Sequence, residues 1–379
     1  MTRHDVAVIG LGGMGGAAAY HLARRGAKVL GLEQFDIGHD RGSSHGGTRI
    51  IRRAYFEHPD YLPLVDRSFA MWAELERAAD VRLFTRTGLL FVGPNDGPVL
   101  SGVRRSRAAH ALDIEDVDMS GFADRFPGFN AGEGMSALFE RDAGYLTVET
   151  CVRAHVEQSR RMGATVLTGQ TVQRWSADSG GVVVETESDR FTADRLIVCA
   201  GGWSARLLAD LRLPLVVLRK AVQWHVPLDD RYDVERGAPI FGIEVDGAFF
   251  YGFPRLDERG VKIGEHTGGQ RVDDPDRVNR GPLLEDETRL AGFVRAHLPG
   301  LTSQVTHRTV CLYTMTPDEH FIVDRHPKFD RVVFAAGFSG HGFKFAPVIG
   351  AALADLALDG RTNEPIGFLS LQRDSLRRT

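Results

Sequence analysis

Three glycines near the N-terminus have the spacing of a turn that binds nucleotide phosphates. The run GLGGMG gives Gly10-x-Gly12-x-x-Gly15, and Glu33 lies 23 residues after Gly10. Glycines at these positions allow a tight turn and let a pyrophosphate approach the amino end of a helix, where anions are stabilised. An acid about 20 residues further on can accept hydrogen bonds from a ribose with a free 2′-hydroxyl. The pattern therefore predicts FAD or NAD rather than NADP, with a purely structural glycine turn as the alternative.

The residues around this turn predict the strands and the helix that it needs. Residues 5–10 (DVAVIG) form a short apolar, β-branched run that is typical of a strand buried on both faces. Residues 16–26 (GAAAYHLARRG) predict a helix that ends at Gly26. Residues 27–33 (AKVLGLE) predict a second strand that ends at Glu33. This order of elements supports the dinucleotide interpretation.

Two later segments also end a predicted strand in a glycine-rich turn. Residues 191–204 (FTADRLIVCAGGWS) are similar to a late strand in the FAD domain of glutathione-reductase-like flavoproteins. Residues 331–337 (RVVFAAG) lead into FSGHGFK and then into an apolar helix, whose positive end could face an anion. Three such strand ends spread along the chain favour a discontinuous FAD domain over a single NAD domain.

The composition is that of an ordinary globular protein and restricts the partners. The 379 residues include 46 basic and 50 acidic side chains, and the net charge of −4 argues against nucleic acid. No run of about 18 apolar residues is present, so we expect no membrane span. Cys151, Cys199 and Cys311 are widely separated, which favours a reducing compartment over a disulfide framework. The strand predicted at the start of the sequence leaves no room for a cleavable signal peptide. Together these features predict a cytoplasmic protein.

The order of predicted elements indicates an α/β protein with two domains. We expect a glutathione-reductase-like Rossmann FAD domain built from residues 1–85, 145–215 and 308–379. We expect a substrate domain built from residues 86–144 and 216–307. Within it, residues 216–266 contain strand-like pieces between Gly, Pro and Asp turns, which indicate an antiparallel sheet. Apolar periodicity predicts helices at 61–80 and 284–300.

Five ordered blocks of the sequence resemble the family of monomeric sarcosine oxidase and N-methyltryptophan oxidase, which also includes pipecolate oxidases. The blocks are RGSSHGGTRIIRRAY (41–55), FFYGFP (249–254), VKIGEHTGGQ (261–270), CLYTMTPDEHFIVDRHP (311–327) and GFSGHGFKFAPV (337–348). The resemblance spans nearly the whole chain. It implies a D-amino-acid oxidase-like fold and oxidation of the secondary amine of an amino acid, with hydride transfer to flavin N5, hydrolysis of the imine and reduction of O2 to H2O2. It also implies a thioether between Cys311 and the flavin 8α-methyl carbon.

Basic side chains in these blocks supply the positive charge that amine oxidation needs. The resemblance implies that Arg52 and Lys344 bind the substrate carboxylate, which Arg can hold through two parallel hydrogen bonds. It places Arg49 and His45 beside the flavin face, with Arg49 counted among the catalytic residues. It makes Lys262, also catalytic, the cation that stabilises superoxide. From the residues alone, surface ion pairs and a solvated lysine are the alternatives.

The substrate pocket is expected to have its own lining. The resemblance implies that Tyr251 and His266 line it and take part in catalysis, although His266 could be a base or only a hydrogen-bond donor. Gly242 stands where sarcosine oxidase carries a bulkier residue, which predicts a larger pocket and a substrate larger than sarcosine. The expected partners are a small secondary-amine amino acid and O2, and the expected state is a monomer.

Nineteen residues are expected to contact FAD, and no metal site is predicted. The residues are Gly10, Gly12, Gly13, Met14, Gly15, Glu33, Ser43, His45, Thr48, Arg49, Val172, Gly201, Cys311, Gly337, Ser339, Gly340, His341, Gly342 and Lys344. The first block departs from the family's usual GSHHGDTR at Ser44 and Gly47, which puts contacts at the flavin edge in doubt.

Other functions stay open at this level. A flavin amine dehydrogenase or an Amadori-type oxidase would use another acceptor or a sugar amine, and the H2O2 yield would separate them from an amine oxidase. An NAD-binding oxidoreductase would be colourless and would leave Cys311 unexplained. A flavoprotein kept for binding alone is not supported by any loss of the key residues.

Overall fold

The computed structural model describes residues 3–377, which form eight α-helices and 20 β-strands. The helices are α1 (Gly13–Arg24), α2 (Leu62–Ala79), α3 (Pro98–His110), α4 (Phe122–Arg125), α5 (Val148–Arg161), α6 (Ser204–Leu207), α7 (Leu284–His297) and α8 (Ala346–Asp359). The strands are β1 (His4–Ile9), β2 (Val29–Leu32), β3 (Thr48–Ile51), β4 (Phe84–Arg86), β5 (Leu89–Pro94), β6 (Ile114–Asp116), β7 (Met135–Glu140), β8 (Gly144–Thr147), β9 (Thr165–Leu167), β10 (Val172–Asp178), β11 (Gly181–Thr186), β12 (Arg190–Val198), β13 (Val216–Pro227), β14 (Ile240–Val245), β15 (Ala248–Phe253), β16 (Val261–Glu265), β17 (Gln270–Val272), β18 (Leu301–Met315), β19 (Ile322–Arg325) and β20 (Val332–Ala336).

The first sheet has a parallel centre. Its strands run in the order β10-β11-β12-β1-β2-β9, with β20 paired to β12 and β19 paired to β20. The pairs of β1 with β2 and β12, of β2 with β9 and of β12 with β20 are parallel. Helix α1 packs against α5 and α8. The carboxyl ends of β1, β2, β12 and β20 therefore lie along one edge, where the predicted glycine turns and Glu33 follow.

The second sheet is antiparallel apart from one pair. Its order is β17-β13-β16-β15-β14-β5-β7-β6, with β18 also paired to β13, and only β5 and β14 run parallel. One face packs Phe250 and Ile263 with apolar residues of α7. The other face carries Phe91, Phe249 and Phe253, which cluster with Ala54 just after β3. A small third sheet of order β3-β8-β4 lies beside them.

The observed elements agree with the predicted fold class. The helices predicted at 61–80 and 284–300 are α2 and α7, and the predicted antiparallel pieces are β13 to β16. The boundary placed at residue 308 falls inside β18, whose residues up to Met315 pair with β13 and so belong to the second sheet. Within residues 3–377, none of the helices has both the length and the apolar character needed to cross a membrane.

Candidate active site

A cavity lies at the carboxyl edge of the parallel strands, with Leu312 and Tyr313 of β18 on its far side. Many of the residues expected to contact FAD line it: Gly10, Gly12, Gly13, Met14, Glu33, Ser43, Arg49, Val172, Gly201, Gly337, Gly340 and Gly342. The lining therefore contains most of the residues expected to contact FAD, from the glycine turn of α1 to the last glycine-rich loop.

The glycine turn at the start of α1 needs its glycines for two different reasons. Gly10 has φ +82°, and a Cβ added there would come within 2.5 Å of a carbonyl oxygen after β12. A Cβ at Gly15 would come within 1.8 Å of the Gly10 carbonyl oxygen, so Gly15 serves helix packing and does not line the cavity. Gly12 faces the cavity, and the Gly13 amide donates to Ser44 Oγ at 3.2 Å. Ser44, one of the departures from the family block, thus supports the turn.

Glu33 is held in place at the end of β2. Its carboxylate accepts hydrogen bonds from the amides of Leu11 at 2.7 Å and Phe35 at 3.1 Å. Burial raises the pKa of Glu33, and these amides act in the opposite direction. His39 Nε2 lies 3.5 Å away, and burial lowers the pKa of His39 to about 4. This carboxylate fits a ribose, and His39 and Gln34, which sequence motifs did not indicate, share the lining.

Cys311 lies in a cluster of basic side chains. Arg49 Nη2 donates to Cys311 Sγ at 3.2 Å, and the thiol is also within 3.8 Å of the His45 carbonyl oxygen. Burial opposes ionisation of this thiol, but His45, Arg49 and Lys262 together lower the pKa of Cys311 to about 6. A thiol with such a pKa is largely a thiolate at neutral pH, which is the reactive form. Since Arg49 lines the cavity, the thiolate lies directly behind its wall.

Lys262 of β16 is buried, so the alternative of a solvated lysine does not hold. Its ammonium donates to Gly46 O at 2.7 Å and to both Thr48 O and Thr48 Oγ1 at 3.0 Å. Burial and Arg49 hold the pKa of Lys262 well below its usual range, while an ionised Cys311 acts in the opposite direction. His45, Thr48, Arg49, Lys262 and Cys311 are thus brought together as one cluster.

Arg52 and Lys344 form a second basic group. Both are buried, and Arg52 Nη2 donates to the two carboxylate oxygens of Glu57 at 2.7 and 2.9 Å. Lys344 Nζ donates to the His341 carbonyl at 2.7 Å. Burial and the nearby Arg52 lower the pKa of Lys344 to about 7. Burial disfavours the charged form of Glu57, yet Arg52, His341 and Lys344 lower the pKa of Glu57 to about 2. Sequence reasoning missed Glu57, although it follows Arg52 by five residues.

His266 and Tyr251 lie close to a tyrosine that sequence reasoning missed. Tyr313 Oη is 3.4 Å from His266 Nδ1, and the two rings have their centroids 5.5 Å apart. Burial lowers the pKa of His266 to about 4, so the ring is neutral at pH 7. Burial raises the pKa of Tyr251, so its hydroxyl stays protonated. Tyr313 follows Cys311 by two residues in a strand, and this alternation could have indicated that both side chains lie on one face of β18.

Gly242 does not leave the open space that the sequence comparison predicted. A Cβ added at Gly242 would come within 2.5 Å of Phe249 Cζ and 3.1 Å of Phe91 Cδ1. The ring of Phe249 therefore occupies the volume that a larger residue at 242 would fill. The space expected at this position is therefore filled, because the neighbouring strand supplies a bulky side chain.

Two residues of the last glycine-rich loop hold it in place through hydrogen bonds to residues outside the loop. Ser339 Oγ accepts a hydrogen bond from the Thr316 amide at 3.2 Å. His341 Nε2 donates to the Glu319 carbonyl at 2.9 Å, and His341 Nδ1 is hydrogen-bonded to the Tyr55 hydroxyl. Neither Ser339 nor His341 lines the cavity, because their side chains are hydrogen-bonded to these partners.

Comparison with known proteins agrees with this geometry. The sequence matches the family described as FAD dependent oxidoreductase over residues 5–356. It is 40% identical over 382 residues to monomeric sarcosine oxidase of Bacillus sp. (strain NS-129), covering 100% of this chain and 98% of that protein. It is 36% identical over 374 residues to N-methyl-L-tryptophan oxidase of Escherichia coli (strain SMS-3-5), covering 98% and 99%. The fold matches the open form of NikD, an unusual amino acid oxidase essential for nikkomycin biosynthesis, with a TM-score of 0.85, 25% identity and 98% of both chains covered.

Proposed function

This chain belongs to the FAD dependent oxidoreductase family, and we propose that it is an FAD-dependent oxidase of N-methyl or other secondary amino acids. The observation that carries the proposal is the arrangement of two basic groups beside a cavity that fits FAD. One group, Arg52 with Lys344, suits a substrate carboxylate, and the other, Arg49 with Lys262, lies next to the reactive thiol of Cys311.

FAD would be held by residues from both sheets. The turn at Gly12 and Gly13 would take the pyrophosphate, and Glu33 the ribose. Once bound, FAD supplies the acceptor for a hydride from the carbon next to the amine nitrogen and returns the electrons to O2 as H2O2. Cys311 would hold the flavin through a thioether at its 8α carbon, which the thiolate-favouring surroundings of Cys311 support.

The basic groups bind the substrate and prepare its amine. Arg52 is already paired with Glu57, so with Lys344 protonated the three side chains carry one net positive charge for the substrate carboxylate. The same positive potential disfavours an ammonium group on the substrate, and the neutral amine is the form that can release a hydride. With a pKa of about 4, His266 does not keep a released proton at neutral pH, so we assign it a hydrogen-bonding role.

Lys262 is the residue we assign to O2. It lies on the face of the second sheet that carries Cys311, between the rings of Trp224 and Phe253 at 5.4 and 4.6 Å. Its three oxygen partners hold the ammonium at one position. In its protonated form, Lys262 would stabilise a developing superoxide without reorganisation, which is how preorganised charges accelerate reactions. A monomer in a reducing, cytoplasmic compartment completes the proposal and agrees with three unpaired cysteines.

Substrate oxidation with O2 as the acceptor tests the proposal. The purified yellow protein is mixed with sarcosine, N-methyltryptophan or pipecolate in air, and O2 uptake and H2O2 are measured. We expect one H2O2 for each amine consumed with at least one of the three. Turnover that needs an artificial electron acceptor would instead identify a dehydrogenase. Oxidation of sugar amines alone would identify an Amadori-type oxidase.

A further inference from the structure

Two aromatic rings lie across glycines on the face of the second sheet opposite α7. A Cβ added at Gly264 of β16 would come within 2.7 Å of Tyr251 Oη, and one added at Gly242 of β14 would come within 2.5 Å of Phe249 Cζ. Phe249 and Tyr251 are two residues apart in β15, so their side chains share one face. Because residues 242 and 264 have no side chains, the rings of Phe249 and Tyr251 can occupy the space above them.

Phe249 links the two ends of the proposed substrate site. Its ring centroid is 5.2 Å from that of Phe56, which in turn lies 4.5 Å from the Arg52 guanidinium carbon. On the other side, its centroid is 6.1 Å from that of His266. The ring thus stands between the proposed carboxylate group and the histidine of the pocket.

The position of this ring is closely constrained. Phe249 is 8% exposed, and its ring is stacked at 6.3 Å on Phe91. Its backbone carbonyl accepts from the His266 amide at 2.8 Å, and its amide donates to Thr267 Oγ1 at 3.1 Å. A substrate side chain cannot displace the ring without disrupting the packing with Phe56 and Phe91, because close-packed side chains have little room to move.

We propose that Phe249 is a specificity-determining residue that occupies the space left by Gly242 and limits the substrate to N-methyl amino acids with a small side chain. This inference rests on the proposed function, since it concerns the substrate of the same site. It reverses the expectation that Gly242 alone would admit a larger substrate. Each methylene that a hydrophobic pocket accepts or rejects changes discrimination by roughly 10–200-fold.

The test compares Phe249→Ala and the milder Phe249→Leu with wild type as flavin-loaded enzymes. For each, kcat/KM is measured with N-methylleucine and with sarcosine. We expect the ratio of the two values to rise at least about tenfold in Phe249→Ala and less in Phe249→Leu. Adding Gly242→Met to Phe249→Ala should refill the space and return the ratio towards that of wild type.

Phe250→Leu is the matched control. Phe250 is the next residue of the same strand, but its ring is stacked at 4.1 Å on Phe293 of α7, on the opposite face of the sheet. This variant should lose comparable packing without a change in the ratio. An equal change in Phe250→Leu, or an unchanged ratio in both Phe249 variants at full flavin content, would overturn the proposal.

A binding measurement separates this inference from the proposed function. The dissociation constants of acetate and isovalerate are determined from the change that they cause in the visible spectrum of the flavin. Tighter binding of isovalerate relative to acetate in Phe249→Ala supports the subsite even if no N-methyl amino acid is oxidised, in which case only the proposed function fails. The same relative binding in wild type and Phe249→Ala contradicts the subsite.

Discussion

Cys311 differs from the other two cysteines in the charges around it. Burial raises the pKa of Cys199 to about 12 and raises the pKa of Cys151 well above its usual value. At Cys311 the same burial is outweighed by His45, Arg49 and Lys262. The sequence block around Cys311 predicted a reactive cysteine, but the cations that make it reactive come from other segments of the chain and could not be identified from its neighbours.

Cys311→Ser should release the flavin on denaturation. A serine hydroxyl is not ionised at neutral pH and cannot form the thioether, so yellow colour should stay in the supernatant when the variant is precipitated with acid. Cys199→Ser is the control, since Cys199 lines the cavity without nearby cations, and Cys151→Ser is a second one. In wild type and both controls the colour should precipitate with the protein. Flavin freed from fully loaded wild type would show that there is no covalent bond.

Lys344 should make carboxylate binding sensitive to pH near neutrality. The pKa of Lys344 is lowered to about 7, whereas Glu57, His266 and His341, with pKa values of about 2, 4 and 3, have titrated well below pH 6. If binding needs the protonated lysine, the dissociation constant rises as pH increases through 7, by about tenfold between pH 6 and 8.

Propionate provides the measurement for Lys344, because it has no amine that would titrate in this range. Its dissociation constant is obtained from flavin absorbance at several pH values. Lys344→Met should bind weakly and without this pH dependence, and Lys344→Arg should keep its charge across the range. A wild-type dissociation constant that does not change between pH 6 and 8 would exclude this role for Lys344.

At the scale of elements, the pairing of β13 with β18 assembles one face of the site. Lys220 pairs with Cys311, and Trp224 pairs with Lys262 on the neighbouring strand β16. Alternation along each strand could be predicted from the sequence, whereas a buried position for Lys262 was implied only by the family resemblance. The register between strands that are far apart in the chain could not be predicted, because it depends on tertiary packing. For this reason Lys220 and Phe249 escaped notice.

Lys220 should stabilise the loop that carries His266. It is buried, and its ammonium donates to the carbonyls of His266, Thr267 and Gly268 at 3.0, 2.7 and 2.9 Å. In Lys220→Met these carbonyls lose their donor, and an unsatisfied buried polar group costs about 1–3 kcal/mol. We expect a lower free energy of unfolding by about that amount and a higher KM, with kcat less affected.

The control for Lys220 is Lys28→Met, which removes an exposed ammonium at the start of β2. Denaturant unfolding and steady-state kinetics should leave this variant close to wild type. If Lys220→Met matched Lys28→Met in both measurements, the three hydrogen bonds would not hold the loop.

At the scale of the whole molecule, the cavity depends on both sheets. Local sequence patterns predicted the α/β class, the glycine turn and the antiparallel sheet. These patterns did not indicate that β18 stays in the second sheet up to Met315, or that Glu57 pairs with Arg52. Such contacts join segments that only the complete fold brings together, and these same contacts shape the proposed substrate site.

Because the lining comes from both sheets, FAD should stabilise the whole chain. In Cys311→Ser, where FAD would bind reversibly, the free energy of unfolding should rise by about 1.4 kcal/mol for each tenfold increase of free FAD above the dissociation constant. Thermal unfolding at several FAD concentrations gives this dependence, and wild type with attached flavin should show none. If the melting temperature of Cys311→Ser did not change with added FAD, the cavity would not bind FAD.

The most direct test of the central claim is the reduction of the flavin by an N-methyl amino acid without O2. The purified yellow protein is mixed anaerobically with sarcosine and, in parallel, with N-methyltryptophan or pipecolate, and the visible absorbance of the flavin is followed. We predict that at least one of these amines removes the yellow colour and that admitting O2 restores it with one H2O2 formed per flavin. A colour that persists with all three amines would contradict the assignment as an oxidase of secondary amino acids.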